Sequence, residues 1–192
     1  MAMFCTPALP APSRSSNRTG LMSDARLIPL DQIDPALVEA LLDRAFEPAR
    51  RQRTAYRLRE GLDPLPALSF AALDDEDQLV GTIQCWPVAL TDPAGRRHPL
   101  IMVGPVAVLP ERQGEGFGKA LMTASIAALD PRAPLPQVMI GDPDYYGRFW
   151  GFSAEPTGGW TLPGPFEKHR LLVRCANRAV LAREGALGPW RG

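Results

Sequence analysis

The chain has few of the side chains that bind metals or form disulfides. It contains three cysteines, Cys5, Cys85 and Cys175, and two histidines, His98 and His169. No pair of cysteines has CxxC spacing, whereas a structural zinc site needs four ligands at closely spaced positions. An odd number of scattered thiols is typical of a reducing compartment. We therefore predict a cytoplasmic protein that uses no metal.

The chain also lacks an excess of charge and a long apolar run. Its 21 basic residues balance its 21 acidic residues, which gives no electrostatic reason to expect nucleic acid or an anionic membrane as a partner. No apolar run approaches the roughly 20 residues that span a bilayer. The first 20 residues lack the apolar stretch of a secretory signal. We predict neither nucleic-acid nor membrane binding.

The length and composition predict one folded domain. The chain has 192 residues, of which 45% are hydrophobic and 22% are charged, enough for a single core. Residues 1–22 are rich in proline and serine without apolar periodicity, and we predict a flexible tail there, with Met22 as a candidate natural start. We assign residues 23–175 to the domain and 176–192 to a C-terminal extension with room for one short helix.

Apolar periodicity predicts a mixed α/β fold. The predicted order is a strand, two helices, an antiparallel meander of three strands, a helix, a strand, a short helix and one or two final strands. Their bounds are 25–30; 34–46 and 49–60; 67–73, 79–90 and 98–109; 117–129; 137–140; 143–150; and 160–162 with 170–174. Because helix 117–129 is a crossover, the strands on either side of it should be parallel neighbours.

Five arginines are concentrated in the second predicted helix. They are Arg50, Arg51, Arg53, Arg57 and Arg59. We interpret them as a solvated helix face in preference to an anion site.

A glycine-spaced loop follows the third strand of the meander. Gly114, Gly116 and Gly118 alternate just before the predicted helix, and glycines let a backbone turn sharply and approach a ligand closely. The start of a helix offers unpaired N–H groups and a partial charge of about +0.5, to which Lys119 adds its own charge. The loop therefore predicts a pyrophosphate pocket.

The loop differs from two common phosphate-binding motifs. A Walker loop needs glycine where Gln113 stands and serine or threonine where Ala120 stands. A dinucleotide fingerprint needs GxGxxG after the first strand of a βαβ unit, but this loop reads GxGxG and follows a meander. An unrelated nucleotide-binding protein stays as the less favoured alternative.

Three segments together resemble the GCN5-related N-acetyltransferases. The loop Gln113–Gly118 (QGEGFG) matches the family's Q/R-x-x-G-x-G/A signature. The strand Gly104–Val108 resembles its coenzyme-binding strand, and Gly141–Phe152 resembles its closing motif, in the form GDPxYY found in a bacterial subset. The resemblance implies a mostly antiparallel central sheet, with one parallel pair splayed at the coenzyme site, and acetyl-CoA as cosubstrate.

The resemblance also implies which residues hold the coenzyme. Backbone amides of the splayed strand would stabilise the thioester oxyanion, with Val106 at the acetyl end, Val108 at the pantetheine arm and Ala107 between them. The remaining coenzyme-binding residues belong to the loop and the start of the helix: Gln113, Gly114, Glu115, Gly116, Phe117, Gly118 and Lys119.

A tyrosine of the closing motif would protonate the departing thiolate. Tyrosine has a reference pKa near 10, and Tyr146 is the first candidate, Tyr145 the second; one of the two could simply be an amphipathic core residue. The family usually has its tyrosine four residues before the closing Gly-Phe, whereas Tyr146 lies five residues before Gly151. We interpret Asp142 as a helix cap in preference to a general base, and no residue is assigned as the base.

The implied function is transfer of an acetyl group from acetyl-CoA to a primary amine by direct attack. The acceptor is a small molecule or a peptide amine, and the sequence does not identify it. A catalytically silent acyl-CoA sensor of the same fold is the alternative function. A homodimer is also compatible with the sequence.

Overall fold

The computed structural model describes residues 25–191. The predicted tail and the candidate start at Met22 lie outside these residues. The strands are β1 Arg26–Pro29, β2 Phe70–Leu73, β3 Leu79–Thr91, β4 Arg97–Val108, β5 Gln137–Ile140, β6 Gly159–Thr161, β7 Leu171–Arg174 and β8 Glu184–Pro189. The α-helices are α1 Pro35–Phe46, α2 Thr54–Leu58, α3 Phe117–Ala127 and α4 Pro143–Trp150. No helix in residues 25–191 is long and apolar enough to cross a membrane.

The described strands form one mixed sheet in the order β1-β2-β3-β4-β5-β7. Strands β2, β3 and β4 make the predicted antiparallel meander. Strands β4 and β5 are parallel, as the crossover through α3 requires. The mixed α/β fold class predicted from the sequence is confirmed.

Local signals in the sequence explain where the helices begin and end. The Asp34 carboxylate accepts the Ala36 amide at the start of α1, with Pro35 in the first turn. The Asp142 carboxylate accepts the amides of Asp144 and Tyr145 at the start of α4, so the interpretation of Asp142 as a cap is confirmed. Gly151 ends α4 in the left-handed region, at φ 75°.

Helices cover the two faces of the sheet. Helix α3 packs Phe117, Leu121 and Met122 against one face, with side chains from β3, β4 and β5. Helix α1 packs Val38, Leu41 and Leu42 over the other face, in a cluster with Ala71 of β2 and Ala107 of β4. A third cluster surrounds Trp86 and Trp160 and includes Leu187 of β8. Because α3 and α1 hold β4 from different sides, the strand and the loop after it have a fixed position.

The arginine-rich segment differs from its prediction. It contains a 3₁₀ turn, Pro48–Gln52, followed by the short helix α2. Arg50 is 1% exposed, and its guanidinium donates to Glu39 and Asp43 of α1. Arg59 is also buried. The prediction of a solvated helix face was therefore wrong for these two residues, since only Arg51, Arg53 and Arg57 are exposed.

The C-terminal extension contains a strand, β8, that was not predicted. Strand β8 pairs antiparallel with β3 over Val88–Thr91 and parallel with β6. The half of β3 that reaches beyond β2 leaves an unpaired edge, and β8 satisfies its backbone groups. The same segment also contains a short 3₁₀ helix, Arg178–Val180, which fits the room left there for a short helix.

Candidate active site

Strands β4 and β5 separate soon after they meet. Their pairing consists of Ile101 with Gln137 and Met102 with Val138. Within the described residues, β5 gives β4 no further backbone partner beyond Met102. Residues 104–108 therefore present a strand edge that faces an opening in the sheet, as the predicted splay requires.

The amides of Val106 and Val108 face this opening. The Leu109 amide donates to the Val80 carbonyl of β3 at 2.9 Å, and successive residues of a strand direct their backbone groups to opposite sides. The backbone N–H and C=O of Val108 therefore point away from β3, and its carbonyl accepts a hydrogen bond from the Gln113 side-chain amide at 3.4 Å. The backbone N–H of Val106 points the same way as that of Val108, while the Ala107 N–H faces β3. Two N–H donors, two residues apart, line the exposed edge.

The glycine loop places unpaired amides beside that edge. Gly114 and Gly116 have φ values of 86° and 96°, which glycine adopts without strain. Gly116 caps α3 without a side-chain hydrogen bond. Within residues 25–191, the backbone N–H groups of residues 114–119 donate to no protein acceptor. The first hydrogen bond of the helix runs from the Ala120 N–H to the Gly116 carbonyl. The loop and the start of α3 therefore form a cradle of free donors for an anion.

The side chains of the loop have other partners. The Glu115 carboxylate accepts Arg112, which also pairs with Asp74 at 2.6 Å; the bonds to Glu115 and Asp74 raise the pKa of Arg112. Phe117 is 1% exposed within the core, so only its backbone faces the loop. The Lys119 ammonium lies 4.0 Å from the ring centre of Phe149, which links α3 to α4. The cradle is consequently made of backbone groups, with Lys119 at its rim.

Tyr146 is half-buried, with its ring against the end of β5. A β-carbon built on Gly141 would lie 2.7 Å from two carbons of this ring. Burial, followed by the proximity of Tyr145 and Asp142, raises the pKa of Tyr146 to about 12. Its hydroxyl has no hydrogen-bond partner in residues 25–191, and it is not among their fully enclosed polar atoms. The group is therefore neutral at physiological pH and free to donate a proton.

Tyr145 lies on the outer side of the same helix. It is 37% exposed, and its ring meets the rings of Tyr146 and Phe149 edge-on at 5.1 and 5.3 Å. Partial burial raises the pKa of Tyr145. Both predicted tyrosines thus belong to one aromatic cluster on α4, and Tyr146 is the more enclosed of the two.

Cys85 lies on the central strand but is held in the core. Its thiol contacts the Ser125 hydroxyl at 3.2 Å, and burial raises the pKa of Cys85 to about 11. A thiol with this pKa is protonated at neutral pH and is a poor nucleophile. Cys85 is therefore a core residue, which agrees with direct attack in preference to an acylated cysteine.

A second pocket, of about 590 Å³, opens on the side of β3 that carries α2. Arg59, a buried arginine, contacts both Gln84 and Trp86 of β3 in this pocket, and the sequence did not reveal this contact. The pocket is lined by Glu39, Arg51, Tyr56, Arg57, Arg59, Glu60, Leu62, Gln84 and Trp86.

This pocket adjoins the splayed part of β4. The Trp86 indole N–H donates to the Gly104 carbonyl at 2.9 Å. The β3–β4 register shifts between Ile83 and Cys85, where their partners are Val106 and Val103. Gln84 therefore lies beside Gly104 and Pro105, directly before the open edge. The pocket and the glycine cradle flank the same five residues of β4.

These features define a class of protein: an α/β domain with an anion cradle at one helix start and a splayed strand beside it. Residues 26–153 match the family model described as an acetyltransferase (GNAT) domain. The chain belongs to this family, the GCN5-related N-acetyltransferases, as its motifs predicted. None of the curated proteins shows significant sequence similarity to it.

Solved structures share the fold. The GNAT family N-acetyltransferase YhbS from Escherichia coli, in complex with CoA, is 27% identical with a TM-score of 0.68, covering 86% of this chain and 89% of that one. A GNAT family acetyltransferase from Brucella melitensis, in complex with acetyl-CoA, is 24% identical with a TM-score of 0.57, covering 88% and 97%. The second likeness is at the level of fold alone.

Proposed function

We propose that this protein transfers an acetyl group from acetyl-CoA to a primary amine. The observation that carries the proposal is the set of unpaired amides from Gly114 to Lys119, beside the open edge of β4. A pyrophosphate needs such a cradle, and an acyl thioester needs donors where its carbonyl develops negative charge. YhbS, which shares 27% of its sequence with this chain, was crystallised with CoA.

We assign each residue of the site a separate role. Amides of Gly114, Gly116 and Gly118 bind the pyrophosphate, and Lys119 adds a positive charge at the rim. The Val108 amide holds the pantetheine arm, and the Val106 amide donates to the thioester carbonyl. This arrangement brings the reactants into line, which can lower the activation barrier by several kcal/mol.

Tyr146 is proposed as the general acid. Its hydroxyl is neutral and lacks a protein partner in the described residues, so it can protonate the departing thiolate. The neutral amine attacks the thioester carbon, the carbon–sulfur bond breaks, and the nitrogen loses its extra proton to water. Solvent then returns a proton to the Tyr146 oxygen, which has given its own to the thiolate. No carboxylate is assigned to that last step.

Two assays test the proposal. Acetyl-CoA should raise the melting temperature of the protein, whereas ATP and NAD should not. Release of free thiol from acetyl-CoA should then depend on an added primary amine. Clear coenzyme binding without turnover across a broad amine panel would favour the acyl-CoA sensor. A shift with ATP or NAD alone would mean that the glycine loop binds a different nucleotide.

A further inference from the structure

Arg59 is a buried cation that forms no ion pair within the part of the chain that the structure describes. It is 7% exposed, and its guanidinium carbon lies 3.7 Å from the ring centre of Tyr56 and 4.9 Å from that of Trp86. Its one side-chain acceptor in residues 25–191 is the Gln84 amide oxygen, at 3.3 Å. A guanidinium has five N–H donors, so most of them have no protein partner here. Arg59 lines the pocket beside β4.

Arg50, in the same segment, is a buried arginine whose charge is balanced by ion pairs within the protein. Its guanidinium pairs with Glu39 at 2.6 Å and Asp43 at 2.8 Å. Arg59 forms no ion pair with a carboxylate of the described residues. Its desolvation, followed by the repulsion of Arg50, lowers the pKa of Arg59 to about 10. The side chain remains charged at neutral pH, and a bound anion would offset the cost of burying it.

The net charge of the side chains that line the pocket would be balanced by a ligand group with one negative charge. Arg51, Arg57 and Arg59 line it together with Glu39 and Glu60, which leaves one excess positive charge. A carboxylate carries one negative charge, whereas a phosphate monoester carries about −1.5 to −2 at pH 7. The planar guanidinium edge also suits a planar carboxylate, which can accept two parallel hydrogen bonds.

The position of the pocket connects this site to the reaction. Gln84, the partner of Arg59, lies beside Gly104 and Pro105, and Trp86 holds the Gly104 carbonyl. A molecule anchored at Arg59 would therefore extend toward the open edge at Val106. We propose that the acceptor is an amine that also bears a carboxylate, and that Arg59 and Gln84 bind that carboxylate. This inference rests on the proposed acetyltransferase function and specifies its substrate class.

The test compares matched acceptors. The twenty amino acids, their carboxamides and the corresponding aminophosphonates are assayed with acetyl-CoA, and kcat/KM is measured for each. Some amino acid should exceed its carboxamide by at least about tenfold, since a hydrogen bond to a charged group contributes that much. In Arg59→Met the ratio should fall to near one, mainly through a loss of activity with the carboxylate.

Two further variants separate recognition from folding. Gln84→Glu places a carboxylate beside Arg59 in a side chain of the same size, and it should lower the same ratio while the melting temperature is kept. Arg53→Met removes an exposed arginine of the same segment that does not line the pocket, and its ratio should equal that of the unchanged protein.

The outcomes are distinguishable. Equal rates with carboxylates and carboxamides, unaffected by Arg59→Met, would overturn the inference and leave the acetyltransferase function intact. Preference for aminophosphonates would overturn the assignment of a carboxylate. Absence of turnover with every amine, despite coenzyme binding, would instead count against the proposed function itself.

Discussion

The ring of Tyr146 lies directly on Gly141, with no room for a side chain between them. A β-carbon at position 141 would stand 2.7 Å from Cδ2 and Cε2 of the ring, closer than non-bonded carbons approach. Gly141 directly follows β5, and Tyr146 is the fourth residue of α4. The first glycine of the GDPxYY motif therefore sets the position of the proposed general acid.

Gly141→Ala should displace the Tyr146 ring and lower kcat. We expect a loss of about tenfold or more, because small misplacements of a catalytic group are costly, with acetyl-CoA affinity little changed. Gly158→Ala is the matched control, since nothing lies within 4 Å of its added carbon. A normal kcat in Gly141→Ala would show that the ring position does not matter.

Tyr146→Phe removes the proposed proton donor and keeps the ring. We expect kcat to fall by about 10²-fold or more, while the dissociation constant of acetyl-CoA changes little. Tyr145→Phe should have a smaller effect, because Tyr145 is the more exposed ring of the pair. If only Tyr145→Phe reduced kcat, Tyr145 would be the general acid.

The pKa of Tyr146 gives the direction of a pH effect. Burial raises it to about 12, and a general acid acts only while it is protonated. Loss of its proton should therefore not reduce kcat around pH 10, where an unperturbed tyrosine titrates. A profile of kcat that declines with a midpoint near pH 10, and loses this decline in Tyr146→Phe, would show that Tyr146 is the acid but titrates at the ordinary tyrosine pKa, and would contradict the raised pKa.

Gly116→Asp should abolish acetyl-CoA binding, because it brings a negative charge and a side chain into the amide cradle. The matched control is Gly95→Asp in the β3–β4 hairpin. Gly95 and Gly116 both have positive φ, 80° and 96°, and neither has an atom within 4 Å of an added carbon. Backbone strain and charge are thus equal in the two variants. Thermal shift with acetyl-CoA should persist in Gly95→Asp and vanish in Gly116→Asp.

The parts of the site that depend on neighbouring residues were predictable from the sequence. The loop from Gln113 to Gly118 and the cap at Asp142 are local signals, in which spacing and residue type determine the backbone. The crossover through α3 dictated the parallel pair of β4 and β5. The sequence could also indicate the splay, because Gly104 and Pro105 disfavour a regular strand.

The pocket around Arg59 could not be predicted in the same way. It forms because α2 packs over β3, bringing Arg59 against Gln84, 25 positions away in sequence. A run of arginines resembles an exposed helix face until such long-range contacts are known. Burial of Arg50 likewise depends on two acids of α1, which helical spacing does not reveal.

Strand β8 was missed because its own glycines argue against a strand. Its sequence, EGALGP, is rich in glycine and proline, which are depleted in strands. The structure shows why glycine is needed at one position: a β-carbon on Gly185 would lie 2.6 Å from the Thr91 carbonyl oxygen. Close approach to β3 outweighs local propensity in this segment.

Leu187→Ala should show that β8 stabilises the domain. Leu187 is 3% exposed and packs in the cluster that surrounds Trp86 and Trp160. Replacing a buried leucine with alanine removes apolar contacts and leaves a cavity, and we expect the free energy of unfolding to fall by about 2–5 kcal/mol. Val180→Ala is the control, because Val180 is 53% exposed and should change this quantity by less than about 0.5 kcal/mol. Urea denaturation measures both. Equal stability of Leu187→Ala and the unchanged protein would mean that the domain does not depend on this contact.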